Sequence, residues 1–247
     1  MKGNGFSIKK TVLIVMASLF LIALIIAGLL FFGVIHINNP KSNDYPVTGV
    51  DVSCYQGDID WETLESQNIG FAYIKATEGS SYVDPNFSYN WTEAAKTDLR
   101  IGAYHFFSFE SPGDTQADSF INTVKAADNM LPPVVDVEYY NDFKTKKDID
   151  TTSIKAELRK LVDKLNDNYE IRPIIYCDEK TYVDIVNGDF SDCDLWYRSV
   201  YAPAPSDVSW TFWQYSNRHV LKGYKGEERY IDMNVFAGKK DAFASYP

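Results

Sequence analysis

Residues 12–35 carry no charged side chain, and only Ser18, Gly28 and Gly33 interrupt a run of Leu, Ile, Val, Phe, Met and Ala. As a helix the run extends about 36 Å, enough to cross a hydrocarbon core of about 30 Å. It offers no polar face, which argues against a core helix of a soluble domain. Lys2, Lys9 and Lys10 precede it without an acidic residue. The positive-inside tendency therefore leaves the N-terminus in the cytoplasm and directs everything after Ile35 outward. A cleaved signal peptide is the rival, but its apolar region runs to about 7–15 residues before a small-x-small site, and neither feature is present. The pattern predicts a short cytoplasmic N-terminus (1–10), a transmembrane signal anchor (11–35), a polar tether (36–45) and an extracytoplasmic domain (46–247). That describes a single-pass protein of the cell membrane.

Charge divides the chain at the same place. It holds 24 Lys and Arg against 34 Asp and Glu, yet the only charged residues in 1–45 are four Lys and one Asp. The outward domain is thus strongly acidic and lacks the basic face that a nucleic-acid partner requires. Three cysteines cannot form a disulfide framework. If one bridge forms, Cys177–Cys193 is the expected pair, and three free thiols are the equal alternative. Aromatic residues make up 15% of the chain, which suits either a large core or a groove that stacks on sugars.

Beyond residue 46, apolar and β-branched runs occur at 47–52, 71–76, 101–107, 134–137, 172–177, 195–200, 211–215 and 230–236. Most are continuous, as expected for strands buried on both faces of a parallel sheet. Helical patterns fall at 85–97, 114–128 and 151–168, the last with Ile154, Leu158, Leu161, Val162 and Leu165 along one face. The fold class predicted is α/β, a TIM-like (β/α) barrel of eight strands with some outer helices missing. An open doubly wound sheet is the alternative that strand count leaves standing.

In such barrels the site lies at the carboxyl ends of the strands. Those ends supply Asp51, Asp136 with Glu138, and Asp232. Residues two apart on a strand share a face, so Asp136 and Glu138 aim into one space, where like charges push their pKa values apart. Such acids suit glycosidase chemistry. Loop capping, ion pairing and a Mg²⁺ or Ca²⁺ site are the other readings of strand-end acids. His36, His105 and His219 are too scattered for zinc, and neither a Gly-x-Ser-x-Gly elbow nor a Gly-rich phosphate loop occurs.

The stretch Gly49-Val-Asp-Val-Ser-Cys-Tyr-Gln-Gly-Asp-Ile-Asp-Trp61 resembles the opening signature of glycoside hydrolase family 25, the Chalaropsis-type lysozymes. The likeness continues through Phe71-Ala-Tyr-Ile-Lys-Ala-Thr-Glu-Gly79, Gly102-Ala-Tyr-His-Phe-Phe107, Leu131-Pro-Pro-Val-Val-Asp-Val-Glu138, Phe212-Trp-Gln-Tyr-Ser216 and Ile231-Asp-Met-Asn-Val-Phe236. These blocks cover essentially all of 46–247 and leave the anchor outside.

The resemblance implies an eight-stranded barrel and an N-acetylmuramidase. Such an enzyme cuts the β-1,4 bond between N-acetylmuramic acid and N-acetylglucosamine in peptidoglycan glycan strands, without metal or organic cofactor. Glu138 matches the general acid/base. Asp136 matches its assisting partner, and Asp51 and Asp232 match the acids that orient and tune the pair. Tyr104, Tyr139, Tyr176, Trp196, Trp213 and Tyr215 match positions near the family's groove, whereas Phe106 and His105 are expected in the core. Lys75 and Glu78 are expected either to pair or to bind, and Gln56 and Gly57 to shape the first strand–helix turn. Two departures bear on subsite shape: Tyr197-Arg198-Ser199 replaces a small residue followed by Arg-Tyr, and residues 217–229 form an unusual basic loop. A catalytically silent glycan- or partner-binding barrel and a chitin-directed hydrolase are the rival functions.

Overall fold

Eight strands close into a barrel in the computed structural model, which describes residues 5–127 and 130–247. The chain forms two units, one ending at Ile37 and the other Asn38–Pro247. In the first, α1 (Gly5–Phe31) is apolar on every side, with Leu13 and Phe20 68% and 67% exposed. It begins earlier than residue 11 because Lys9 and Lys10 are helix formers. It stops before Gly33, whose φ of 64° leaves the helical range. Lys2, with the rest of residues 1–4, lies outside the described residues.

The strands are β1 (Thr48–Val52), β2 (Phe71–Glu78), β3 (Tyr82–Val83), β4 (Arg100–Phe106), β5 (Val134–Val137), β6 (Ile174–Asp178), β7 (Leu195–Arg198), β8 (Phe212–His219) and β9 (Ile231–Phe236). All eight expected runs are present, and β3 is a short addition to the edge of β2. Pairing of β1 with both β2 and β9 closes the barrel, which excludes the open sheet. The expected all-parallel arrangement holds from β1 round to β8 but not for β9, which runs antiparallel to β8 and β1. No helix intervenes between β8 and β9 to carry the chain back to the bottom, so β9 descends from the rim where β8 ends.

The helices of this unit are α2 (Trp61–Glu65), α3 (Phe87–Ala94), α4 (Gly113–Thr123), α5 (Thr151–Tyr169), the single turn α6 (Glu179–Thr181) and α7 (Lys240–Ala244). All five residues of the apolar face expected on α5 are buried. Its start is capped by Asp150, whose Oδ1 accepts from Ser153 N at 3.1 Å. The helix expected at 114–128 ends at Thr123, because Val124 is extended, and Asp128 lies outside the described residues. Among the described residues no α-helix lies between β7 and β8 or between β8 and β9, in line with the missing outer helices.

Strand side chains alternate between two apolar layers. Phe71, Tyr73, Trp196, Phe212 and Phe236 fill the barrel interior, and Val50, Ile74, Val135, Cys177 and Val235 face the outer layer. Gly49 and Gly102 make room for the interior rings: a Cβ on either would fall 2.4 Å from Phe71 or 2.2 Å from Tyr73. The tether expected at 36–45 is partly built into the barrel unit. Buried Asn38 donates from Nδ2 to Ser199 O at 2.9 Å and Ala202 O at 2.7 Å, and the Tyr45 ring lies 5.8 Å from that of Trp210.

The Cys177–Cys193 bridge does not form; all three cysteines are free. Ile175 pairs with Leu195 in parallel register, which places Cys193 level with residue 173 at the far end of β6 from Cys177. Four residues of strand separate the two by about 13 Å, well beyond the reach of a disulfide.

Candidate active site

The interior aromatic layer is the floor of a cleft of about 450 Å³ at the rim of the barrel, where β1 to β8 end and β9 begins. Asp51, Asp136, Glu138 and Asp232 all line it. Asp232 reaches the rim from the start of its strand rather than from its carboxyl end, because β9 is reversed. The same reversal sets it opposite Asp51 in register.

A chain of neutral donors supports the acids from beneath. Gln214 Nε2 donates to Asp51 Oδ2 at 2.9 Å and to Asp232 Oδ2 at 3.1 Å, while Asn234 Nδ2 donates to Asp51 Oδ2 at 2.7 Å. Tyr176 OH donates to Gln214 Oε1 and Trp196 Nε1 to Asn234 Oδ1, both at 2.9 Å, which fixes the two amides in the orientation that presents N–H upward. Burial raises the pKa of Asp51, and the Asn234 and Gln214 donors oppose it. Asp232 is held well above the usual range by burial and by the Asp51 charge. Asp232 therefore holds a proton more tightly than Asp51, whose two donors favour its ionised form.

Asp136 is buried, and its Oδ1 has no hydrogen-bond partner. Burial and the Glu138 charge push its pKa well up. Glu138 is more open, with 30% of its side chain exposed. Its pKa is also raised by burial, against the opposing pull of Arg198, whose Nε lies 3.8 Å from Glu138 Oε1. Two carboxyls on one strand face, in a site that penalises charge, hold a proton more tightly than free carboxyls do.

The aromatic residues divide by strand parity. Tyr104, Tyr176 and Trp196 line the cleft. Tyr139, Trp213 and Tyr215 do not: each lies one residue from an inward side chain (Glu138, Gln214) and packs in the outer layer. There Tyr139 OH donates to Asp184 Oδ2 at 2.9 Å, and Trp213 Nε1 donates to Ser199 O at 2.9 Å. Phe106, expected in the core, instead lines the cleft. Lys75 Nζ pairs with Glu78 Oε2 at 2.6 Å and lies 5.2 Å from the Phe106 ring.

Residues 50–224 match the family described as Glycosyl hydrolases family 25. The chain belongs to that family. A solved family 25 glycosyl hydrolase from Bacillus anthracis is 47% identical and superimposes with a TM-score of 0.80, covering 86% of this chain and 97% of that one. Lysozyme M1 of Streptomyces globisporus is 34% identical over 207 residues, which is 78% of this chain and 68% of that protein. The N,O-diacetylmuramidase of Chalaropsis sp is 29% identical over 209 residues, 78% of this chain and 98% of that protein.

The basic loop of this family 25 hydrolase, noted as a departure, is a wall of its cleft. Asn217, Arg218, Glu228 and Tyr230 line the opening. Glu228 N donates to Tyr55 O at 2.9 Å, Asp60 N to Gly223 O at 2.7 Å, and Gln56 Nε2 to Tyr230 O at 3.0 Å. Gly226 is required where the loop crosses the first turn, since a Cβ there would lie 2.1 Å from Tyr55 O. Arg198, Gln214 and Asn234 are site residues to which sequence reasoning assigned no role. A signal was available: each lies two residues from an inward side chain (Trp196, Phe212, Asp232) and so must share its face. His105 is a core residue as expected, bonded through Nδ1 to Thr77 Oγ1 at 2.7 Å and through Nε2 to Gln116 Oε1 at 3.0 Å.

Proposed function

We propose that this family 25 hydrolase is a lysozyme, held at the cell membrane by α1, that hydrolyses the β-1,4 bond between N-acetylmuramic acid and N-acetylglucosamine in peptidoglycan. The observation that carries this reading is the convergence of four carboxyls on one cleft, with the buried Asp136 Oδ1 left without a partner. The lysozyme and diacetylmuramidase names of its relatives agree with it.

Glu138 acts as general acid/base. The more exposed of the coupled pair, it protonates the leaving glycosidic oxygen as the C1–O bond breaks. Asp136 Oδ1 accepts the acetamide N–H of the muramic acid residue. That hydrogen bond favours the ionised form of Asp136 and leaves the shared proton on Glu138, where the leaving group needs it. The acetamide oxygen forms the new bond to C1. Water then adds at C1, gives a proton to Glu138 and returns the acetamide, so the configuration is retained. Asp51 and Asp232 anchor the opposite wall, and Tyr104, Tyr176 and Trp196 contact the sugars.

The test is digestion of purified sacculi by the full chain in detergent. Muropeptides with reducing muramic acid ends are expected. Glycan binding without release would make the barrel a binding module, and cleavage of chitin but not of sacculi would make it a chitin-directed hydrolase. The anchor is tested separately: the intact N-terminus should stay in the membrane fraction through a high-salt wash. A soluble product starting beyond residue 35 would mark a cleaved signal peptide instead.

A further inference from the structure

A second groove opens beside the cleft and shares a wall residue with it. Arg198, Asp178, Lys180, Tyr201 and the loop to Pro205 line this groove, and Arg198 also lines the cleft. Arg198 is thus placed to touch a ligand in the cleft and a substituent of that ligand in the groove.

The groove is built in advance. Its outer loop is held by Asn38, whose Nδ2 donates to Ser199 O and Ala202 O, and by Ser199 Oγ, which donates to Ala202 O at 2.7 Å. Trp213 Nε1 donates to Ser199 O from the other side. Pro203 and Pro205 stiffen the wall further. Tyr201 stands 67% exposed at its edge, with a flat apolar face open to a ligand.

The Arg198 guanidinium is the groove's unused recognition group. Its one ion pair among the described residues is the loose 3.8 Å approach of Nε to Glu138, and no side-chain hydrogen bond spends its other donors. Five N–H donors in a rigid fork, partly buried and unspent, call for carboxylate or carbonyl oxygens. Lys180 is already closely paired with Asp184, and Asp178 caps α6, so Arg198, only loosely paired with Glu138, is the groove's cation with donors left for an anion.

We propose that this side groove seats the peptide branch of a muramic acid residue, with Arg198 binding its lactyl carbonyl or a peptide carboxylate. The proposal rests on the lysozyme reading above and adds to it a preference for strands that still carry their peptides. Of the two sugars in peptidoglycan only muramic acid is branched, through its lactyl ether. A groove that adjoins the cleft at Arg198 is placed to receive that branch while the glycan occupies the cleft.

The experiment compares intact glycan strands with strands stripped of peptide by an amidase, both digested by the full chain in detergent. The wild type should favour peptide-bearing strands about tenfold in kcat/KM, the size of one charge-assisted hydrogen bond. Ala202→Trp, which fills the groove outside the cleft, should cut the rate on peptide-bearing strands about tenfold and leave stripped strands within about twofold. Tyr201→Ala should do the same more weakly and serves as the second variant if Ala202→Trp melts early. Equal wild-type rates on both strands would overturn the proposal, as would variants that slow both alike. A chain that cuts neither strand overturns the lysozyme reading and this inference with it, an outcome distinct from loss of preference alone.

Discussion

Asp51 and Asp232 face each other across the antiparallel β1–β9 pair, and one amide, Gln214 Nε2, donates to both at 2.9 and 3.1 Å. Two acids this close in a buried site accommodate one negative charge between them. The arrangement favours the proton on β9 and the negative charge on β1. It also carries a cost that depends on pH.

Because burial raises the pKa of Asp232, the folded chain binds that proton more tightly than the unfolded chain. The stability it contributes is complete below the unfolded value of 3.8 and is lost as pH rises through the folded one. Asp232→Asn mimics the neutral form, since its oxygen still accepts from Gln214 and its amide can donate to Asp51. The variant should melt a few degrees higher than wild type at pH 7 and lose that advantage near pH 4. Calorimetry at the two pH values checks this, and an equal difference at both would refute the shared-proton assignment.

Glu138→Gln preserves shape but cannot deliver a proton. Activity on sacculi should fall at least about a hundredfold, within the span of general acid catalysis, with melting temperature little changed. In the wild type, kcat/KM should decline as pH rises through a Glu138 pKa above 4.5, because the protonated form is the working one. Turnover of the variant within a few-fold of wild type would remove Glu138 from its role.

His105 should remain neutral down to about pH 4. Burial withholds the charged form, and both ring nitrogens are already engaged. Gln116 spends its Nε2 on Ser108 O and Ser111 O and so offers Oε1 as an acceptor, which fixes the proton on His105 Nε2. The unfolded chain takes up a proton near 6.5 and the folded chain does not, so this residue lowers stability progressively from about pH 6.5 to pH 4. Imidazole NMR should report an Nε2–H tautomer with no titration step near 6.5.

Asp136 lies on β5 and Glu138 follows its end on the same face, an arrangement that disfavours straddling a sugar ring as a nucleophile–acid pair would. Substrate-assisted retention follows if the acetamide supplies the attack. NMR of the first-formed product should show the β anomer, and a fragment lacking the muramic N-acetyl group should be a poor substrate. An initial α anomer would assign the water-activating role to Asp51 or Asp232, with inversion.

Much of the fold was legible along the chain. The eight strand runs, the buried face of α5 and the apolar α1 follow from hydrophobic period and from the absence of charge, which are local properties. The four acids were legible as strand-end residues. The misplaced residues share one cause. The family resemblance puts Tyr139, Trp213 and Tyr215 near the groove, but the two-residue period that faces Glu138 and Gln214 inward turns these three outward. The same period, applied from Trp196 and Phe212, would have found Arg198 and Gln214.

By itself the sequence determined which segments form strands and helices, which face of α5 is apolar, and that acids stand at the strand ends. Those features depend on side-chain type and spacing within a few residues. Only the tertiary structure decided that β9 runs backwards and brings Asp232 opposite Asp51, that Cys177 and Cys193 end far apart, and that residues 217–230 fold over the first turn as a cleft wall. Each of these depends on strand direction and register between segments far apart in the chain. The free energy that selects them comes from packing and hydrogen bonding across the closed barrel, which local patterning alone does not specify.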